Sequence, residues 1–293
     1  MRRLRQLLDR LGRQPARMFY APGHFYSPIV DADELRTRDA SLWPAKPTIL
    51  GIDFNDAHHE RVLREYFPMF YRDFAYPARS DGSPLTFYTD NDQFGWLDCR
   101  ALFVLLRAWR PKRFVEVGSG FSTLLVADVN RRFLDGSMRI VCIEPYPRPF
   151  LRSPALGLER LIASKVQDVD SAVFDQLDAG DVLFIDSSHV AKTGSDVNHL
   201  CFEVLPRLRK GVRIHFHDIF LPAEYPKQWV LEQNRSWNEQ YVVRALLMYS
   251  TQFKLLFGSS HAFHAHADAL RAALGDPTGA YYGGGSLWLE KSL

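Results

Sequence analysis

The chain has 293 residues, of which 46% are hydrophobic, and a formal net charge of +2 at neutral pH. Such a chain is long enough to bury a sizeable core, and its charge is too small to create the long-range field that attracts nucleic acids. Its three cysteines are too few and too widely spaced for a disulfide framework or a zinc knuckle, and no apolar run reaches transmembrane length. We therefore expect a cytoplasmic protein without a nucleic-acid partner.

The first seventeen residues are basic and amphipathic. Leu4, Leu7, Leu8 and Leu11 recur at helical spacing among arginines, which predicts a separate N-terminal helix over residues 1–17. The run lacks the apolar centre of a secretory signal. Two interpretations stay open: the helix docks on its own domain or on a second subunit, or it makes weak contact with an anionic membrane surface.

Residues 18–92 are aromatic and turn-rich, and prolines interrupt any long helix within them. We expect this segment to form a partly helical, partly irregular cap or lid over a site in the domain behind it. Tyr26, Tyr88 and Asn91 are candidates to line that lid, with packing inside the segment as the alternative for each. A helical run around residues 97–109 follows, and the main domain is expected over residues 93–293.

A glycine turn after a short apolar run is the most informative motif. The run Phe114–Val117 ends in Gly118-Ser119-Gly120, and a helix-like segment, 122–129, follows at once. A strand, a tight glycine turn and a helix N-terminus together let a ligand approach the backbone closely. A dinucleotide site would place a third glycine where this chain has Thr123, which weakens that interpretation.

Glu116, the acid before the glycines, completes a pattern that resembles motif I of the class I methyltransferases that use S-adenosylmethionine (SAM). The resemblance implies that the turn binds the amino-acid end of SAM. It also implies that Glu144, which ends the next apolar run, binds the ribose hydroxyls, and that Asp168 after the third run contacts the adenine. The cofactor residues expected from it are Glu116, Gly118, Ser119, Gly120, Ser122, Glu144, Asp168 and Asp186.

Strand-like and helix-like segments alternate through the rest of the chain. Further apolar runs at 181–186 and 212–217 continue the alternation, and a capping-box pattern, Ser236 to Glu239, predicts a helix to about Met248. Two closing strands, 253–257 and 286–290, joined by a variable loop, resemble the antiparallel last pair of the same family. We expect a Rossmann-like, doubly wound seven-stranded α/β sheet, mostly parallel with an antiparallel last strand.

Four ionisable residues fall at the ends of the fourth and fifth predicted strands, where chemistry concentrates in such sheets: Asp186, His189, His217 and Asp218. This part of the chain resembles the catechol and macrolide-sugar O-methyltransferases, whose strand-end acids hold Mg²⁺. The resemblance implies a metal set of Asp186, His217 and Asp218, with His189 where the catechol type has its catalytic lysine.

His217 stands where those families have an acid, and a set containing a histidine suits Mn²⁺, Fe²⁺ or Zn²⁺ better than Mg²⁺. The alternative is that no metal binds and that His189 or His217, beside Asp218, removes the acceptor's proton directly. The predicted function is a SAM-dependent methyltransferase acting on a hydroxyl of a small molecule or sugar, with nitrogen acceptors left open. A NAD-linked oxidoreductase and a non-catalytic SAM-binding protein are the alternatives.

Overall fold

In the computed structural model, which describes residues 18–275 and 283–293, the chain folds around a seven-stranded sheet. The strands are β1 (Arg113–Val117), β2 (Arg139–Ile143), β3 (Arg160–Ile162), β4 (Val182–Ile185), β5 (Arg213–Phe216), β6 (Phe253–Gly258) and β7 (Leu287–Lys291). Their order is β3-β2-β1-β4-β5-β7-β6, and only the pairings that involve β7 are antiparallel. The predicted fold class is therefore confirmed. The helix predicted over residues 1–17 lies outside the described residues.

Short helices surround the sheet. They are α1 (Ala32–Thr37), α2 (Asp39–Leu42), α3 (Asp56–Arg61), α4 (Phe67–Phe70), α5 (Trp96–Trp109), α6 (Phe121–Phe133), α7 (Ala172–Asp175), α8 (Asp196–His199), α9 (Lys227–Leu231), α10 (Glu239–Tyr249), α11 (Ser259–Ala265) and α12 (Ala267–Leu274). Single π-helical turns at Val62–Tyr66 and Leu200–Val204 extend α3 and α8. In the described ranges, no helix is both long and apolar enough to span a bilayer.

The two faces of the sheet are both covered, because successive strand residues point to opposite sides. Phe114 and Phe184 pack with α5 and α6 in one apolar cluster, whereas Val115 and Leu183 belong to the other. Chain order reverses between β1 and β4, which lie side by side. In open α/β sheets this is where a crevice forms beyond the carboxyl ends of the strands.

The N-terminal segment splits into two kinds of structure. Its middle part joins the core: the Asn55 amide donates to the backbone oxygen of Leu255 in β6 at 2.8 Å, and Val62 and Phe67 are fully buried. Its last part, the loop 88–95, reaches the carboxyl ends of the strands. The segment is thus partly helical and partly irregular, as the sequence predicts.

Two local predictions are wrong. The connection between β6 and β7, expected as a variable loop, contains α11 and α12. The capping box is also absent: α10 begins with Glu239 itself, and its N-cap residue Asn238 makes no side-chain capping bond. The backbone oxygen of His189 takes the place of the cap, accepting from the N–H groups of Asn238 and Glu239 at 3.1 and 3.2 Å. This frees the Glu239 carboxylate for a different partner.

Candidate active site at the carboxyl ends of the strands

The glycine turn after β1 lies against the residue that follows β4. Gly118 has φ of 82°, a conformation that favours glycine, and its N–H donates to the Ile143 oxygen at 3.0 Å. A Cβ on Gly118 would lie 1.7 Å from the backbone oxygen of Asp186. Glycine is required here because it lets the ends of two neighbouring strands meet.

Glu116 stabilises the turn through hydrogen bonds. It is fully buried and accepts from the hydroxyls of Ser122 at 2.6 Å and Thr123 at 2.5 Å. Thr123 in turn accepts from the N–H of Gly120 at 3.1 Å, which ties the turn to the start of α6. Burial raises the pKa of Glu116 to about 7, although these hydrogen bonds oppose the shift. Glu116 thus holds the turn in shape and is absent from the residues lining the adjacent cavities.

Glu116 should make stability depend on pH. Its folded pKa of about 7 lies above its ordinary value of 4.5, so its favourable contribution is complete below pH 4.5 and is lost as pH rises through 7. The free energy of unfolding should therefore fall as pH rises from 4.5 to 7. We expect Glu116→Gln to abolish about 3 kcal/mol of this fall. Denaturant unfolding at a series of pH values measures it. Parallel wild-type and variant curves between pH 4.5 and 8 would contradict the expectation.

Two cavities border the glycine turn, and a third adjoins them. The first, about 260 Å³, is lined by residues 118–122 with Glu144, Tyr146 and Arg148. The second, about 430 Å³, extends from Glu144 along residues 165–167 and 187–188. The third, about 830 Å³, lies between the loop 91–98 and residues 226–237. Asp186 lines all three, so the cavities share this residue.

The predicted cofactor residues are distributed unequally over these cavities. Glu144 lines the first two, and its carboxylate accepts from the N–H groups of Ser119 at 3.3 Å and Tyr146 at 2.8 Å. Asp168 is exposed at the end of a 3₁₀ turn, and its neighbour Gln167 lines the second cavity in its place. Gly118, Ser119, Gly120, Ser122 and Asp186 all line the first cavity.

His189 connects three carboxylates at the strand ends. Its Nε2 lies 3.4 Å from both Asp186 and Asp218, and its Nδ1 lies 2.9 Å from Glu239. Glu239 is buried at the first position of α10, so it anchors the outer side of the imidazole. The ring of Trp237 covers His189 with centroids 4.4 Å apart.

His217 repeats this arrangement on the other side of Asp186. Its Nδ1 lies 3.3 Å from Asp186 and 3.7 Å from Asp218, while its Nε2 lies 3.5 Å from Asp98. Asp98 is held by the N–H groups of Gly285 and Ser286, each 2.9 Å from a carboxylate oxygen. Each histidine therefore has one ring nitrogen facing the central aspartates and the other facing a fixed outer carboxylate.

The backbone at this cluster is unusual. His189 and Asp218 have φ of 61° and 58°, a left-handed conformation that costs energy in residues other than glycine. Such conformations concentrate at functional sites, since the surrounding fold must hold them in place. Here they turn both side chains back toward Asp186.

Burial and mutual attraction set the protonation of the cluster. Burial opposes protonation of His189, yet its bonds to Asp186 and Glu239 raise the pKa of this imidazole to about 10. Burial also opposes the charge on His217, but Asp218 and Asp186 raise its pKa well above the usual value. Burial would raise the pKa of Asp186, but the two histidines hold it far below its usual range. Burial raises the pKa of Asp218.

The charges and donors of this cluster fit a divalent cation. Asp98, Asp186, Asp218 and Glu239 surround two imidazoles, so the carboxylates outnumber the rings that can balance their charge. Ligand atoms of Asp186, His217 and Asp218 all lie within 4.8 Å of one another. Asp98 would orient His217 from behind, as outer carboxylates do for metal-bound histidines. One nitrogen with two carboxylates suits Mn²⁺, Fe²⁺ or Zn²⁺.

The three predicted lid residues occupy different places. Tyr26 is 66% exposed, contacts other aromatic rings of its own segment, and is absent from the residues that line the three cavities. Tyr88 packs edge-on against Phe121 with centroids 5.3 Å apart. Asn91 is buried, lines the third cavity, and holds its loop by bonding the backbone of residues 88, 93 and 94.

One wall of the third cavity is aromatic and basic. The guanidinium of Arg235 lies over the rings of both Trp229 and Trp237, 4.1 and 4.8 Å from their centroids, and the two rings contact each other edge to face. Both tryptophans and Arg235 line the cavity. From the sequence this pattern is visible only as aromatic content, because α9 and the loop after it are too short to show a periodic pattern. The wall offers flat apolar surfaces and one positive charge.

Comparisons with known proteins agree with this geometry. A family model described as a methyltransferase domain matches residues 115–219, which include the glycine turn, Asp186, His189, His217 and Asp218. An uncharacterized protein of Archaeoglobus fulgidus is 36% identical over 167 residues, which span 54% of this chain and 74% of that protein.

Solved structures resemble the chain more weakly. The O-methyltransferase TomG of Streptomyces achromogenes, in complex with SAM, has a TM-score of 0.40 at 14% identity, covering 88% of this chain and 96% of its own. A putative methyltransferase of Thermobifida fusca has a TM-score of 0.45 at 14% identity, covering 86% and 98%. At these TM-scores the structural similarities support no conclusion about this chain.

Proposed function

Because the chain belongs to the class I SAM-dependent methyltransferases, we propose that it transfers the methyl group of SAM to a hydroxyl of a small molecule or sugar. The observation that carries the proposal is the position of Asp186, which lines the two cavities beside the glycine turn and also the large third cavity. Donor and acceptor bound in these cavities would meet at one carboxylate.

The glycine turn and Glu144 would hold the cofactor. The first two cavities share Gly118, Glu144 and Asp186, so an elongated ligand can lie across the end of β1. Glu144 accepts one backbone N–H on each carboxylate oxygen, and each oxygen has a further lone pair for a ribose hydroxyl. Gln167, rather than the exposed Asp168, lies where the adenine would end.

Methyl transfer to oxygen breaks the carbon–sulfur bond of SAM, forms a carbon–oxygen bond, and releases the hydroxyl proton. Holding donor and acceptor in line supplies roughly 7–11 kcal/mol of the barrier, and a positioned base adds about 10²–10⁴-fold. His189 is the proposed base, oriented by Glu239. With a pKa of about 10 it carries a proton at neutral pH in this arrangement. A divalent cation among Asp186, His217 and Asp218 would disfavour that proton and polarise the acceptor hydroxyl.

Replacing His189 should separate catalysis from cofactor binding. We expect His189→Ala to lower kcat about 10²-fold or more, since the proton acceptor is lost, while the affinity for SAM stays within threefold. His24→Ala, on an exposed histidine outside the cavities, is the matched control and should be unchanged. Initial rates and calorimetry with SAM measure the two effects. A variant with full kcat would remove His189 from the mechanism.

Metal removal tests the second part of the site. If a cation binds Asp186, His217 and Asp218, chelation should abolish turnover and added Mn²⁺ should restore it, since the cluster would then lose its compensating charge. Activity is measured in chelator-treated buffer with Mn²⁺, Fe²⁺, Zn²⁺ and Mg²⁺ added in turn. Full activity in chelator would show that methyl transfer needs no cation at this site.

The acceptor class follows from the wall of the third cavity. Trp229 and Trp237 suit a flat or ring-shaped acceptor, and Arg235 beside them would attract an anionic group on it. The test is formation of S-adenosylhomocysteine from SAM with matched pairs of phenols and sugars, with and without a carboxylate. Lack of binding of both SAM and S-adenosylhomocysteine at high micromolar protein would overturn the proposal, and nicotinamide cofactor binding would favour the oxidoreductase alternative.

A further inference from the structure

A second group of histidines and carboxylates lies at the outer edge of the sheet, at the carboxyl end of β6. Asp56 begins α3, His261 lies in α11, and His266 separates α11 from α12. One carboxylate oxygen of Asp56 lies 2.7 Å from Nε2 of His261 and 2.9 Å from Nε2 of His266. The three ligand atoms all lie within 4.8 Å of one another. None of these residues belongs to the cluster around Asp186.

Packing fixes both imidazoles and leaves the carboxylate accessible. The side chains of His261 and His266 are each 10% exposed, whereas that of Asp56 is 68% exposed. The His261 ring stacks on Phe54 with centroids 4.1 Å apart, and the His266 ring stacks on His59 at 5.5 Å. The two nitrogens are therefore held toward a point that solvent can reach past Asp56.

The outer surroundings of the group resemble those of bound metals. Nδ1 of His266 lies 3.0 Å from the carboxylate of Glu60, and metal-binding histidines commonly donate their second N–H to a carboxylate in this way. His59 is already occupied, since its Nε2 accepts from the N–H of Gly258 at 2.8 Å. His59 thus forms a wall of the group, and Asp56, His261 and His266 are the available ligands.

We propose that Asp56, His261 and His266 bind one Zn²⁺ ion. Two imidazole nitrogens and one carboxylate oxygen form a donor set that Zn²⁺ accepts, with water in the fourth position, whereas Mg²⁺ and Ca²⁺ select oxygen donors. The rival explanation is a hydrogen-bonded group without metal, in which Asp56 accepts an N–H from each ring. The ion would join α3 of the N-terminal segment to the two helices inserted before β7, so its role is structural.

The experiment uses the full chain without a histidine tag, stripped with chelator and carrying Asp186→Asn to weaken the other candidate site. Titration with Zn²⁺ alone in a calorimeter should give one tight site, and added Zn²⁺ should raise Tm. Cys99, Cys142 and Cys201 are buried, which keeps thiols from competing for the ion. Asp56→Asn and His266→Asn should each lose at least about 100-fold in affinity, and Glu60→Gln about 10-fold.

These variants distinguish a Zn²⁺ site from a hydrogen-bonded group without metal. Asp56 and Glu60 are at least partly exposed, so their isosteric replacements should fold normally, which circular dichroism checks. Loss of the Zn²⁺-dependent rise in Tm in Asp56→Asn, with the fold intact, supports the proposal. Absence of tight Zn²⁺ binding in the stripped chain, or unchanged affinity in both Asp56→Asn and His266→Asn, overturns it in favour of the metal-free hydrogen-bonded group.

Discussion

Gly118→Ala should abolish SAM binding and destabilise the fold by at least about 4 kcal/mol. The new Cβ would lie 1.7 Å from the backbone oxygen of Asp186, a distance that no side-chain rotation can relieve because both atoms belong to the main chain or are fixed to it. The backbone must move, and the ends of β1 and β4 must separate. Both the glycine turn and Asp186, which lines all three cavities, would be displaced.

Gly157→Ala is the matched control for this substitution. Gly157 also has a left-handed backbone, with φ of 64°, but a Cβ there would meet nothing within 4 Å. It should therefore cost only about 1 kcal/mol, the penalty of the backbone conformation alone. Denaturant unfolding and calorimetry with SAM compare the two variants. Equal losses in both would show that the collision with Asp186 is unimportant, and SAM binding by Gly118→Ala within threefold of wild type would disprove its role at the site.

The sequence predicts most of the sheet because the signals for it are local. Each central strand is a short apolar run that ends in a polar residue, and the glycine turn between β1 and α6 marks the first crossover. All four residues of β4, Val182–Ile185, are apolar because both faces of the sheet are buried. The family resemblance predicts a loop between β6 and β7, whereas this chain forms α11 and α12 there, with Ala262, Ala269 and Leu270 in the apolar core.

The outer carboxylates of the site could not be predicted in the same way. By its spacing from Ser236, Glu239 fits a capping box. In the fold, the backbone oxygen of His189, 50 positions earlier, caps the helix instead, and the His189 imidazole contacts the Glu239 carboxylate. Asp98 lies on a helix whose neighbours are core residues, and its partners Gly285 and Ser286 are more than 180 positions away. Such long-range pairings leave no periodic trace in a single sequence.

These two outer carboxylates change the interpretation of the histidines. From the sequence, the family resemblance puts His217 in the metal set and His189 at the place of the catalytic lysine, but without a metal either histidine could be the base. In the structure both lie between a central aspartate and an outer acid, but His217 is grouped with Asp186 and Asp218 as a ligand set, whereas His189 faces the same pair from the side covered by Trp237. We therefore propose metal binding for His217 and proton transfer for His189 as two roles that can be tested separately.

Asp186→Asn should reduce methyl transfer about 10²–10⁴-fold. The substitution removes a charge that lies 3.4 Å from His189 and 3.3 Å from His217, so both imidazoles lose a central partner and the metal set loses a ligand. The size and backbone of the residue are preserved, and the turn at Gly118 keeps its close contact. We expect the loss to appear mainly in kcat, with SAM affinity lowered less than tenfold.

Asp92→Asn is the control, since Asp92 is an exposed acid that lines the same third cavity and takes no part in the ion pairs of the cluster. Its kcat should stay within threefold of wild type. Comparing kcat of the two variants separates the effect of losing Asp186 from the effect of losing any negative charge in the cavity. If both lose activity equally, the acids act only through long-range charge. If Asp186→Asn keeps full kcat, the strand-end carboxylate is outside the reaction, and the meeting point of the three cavities is no longer the place of methyl transfer.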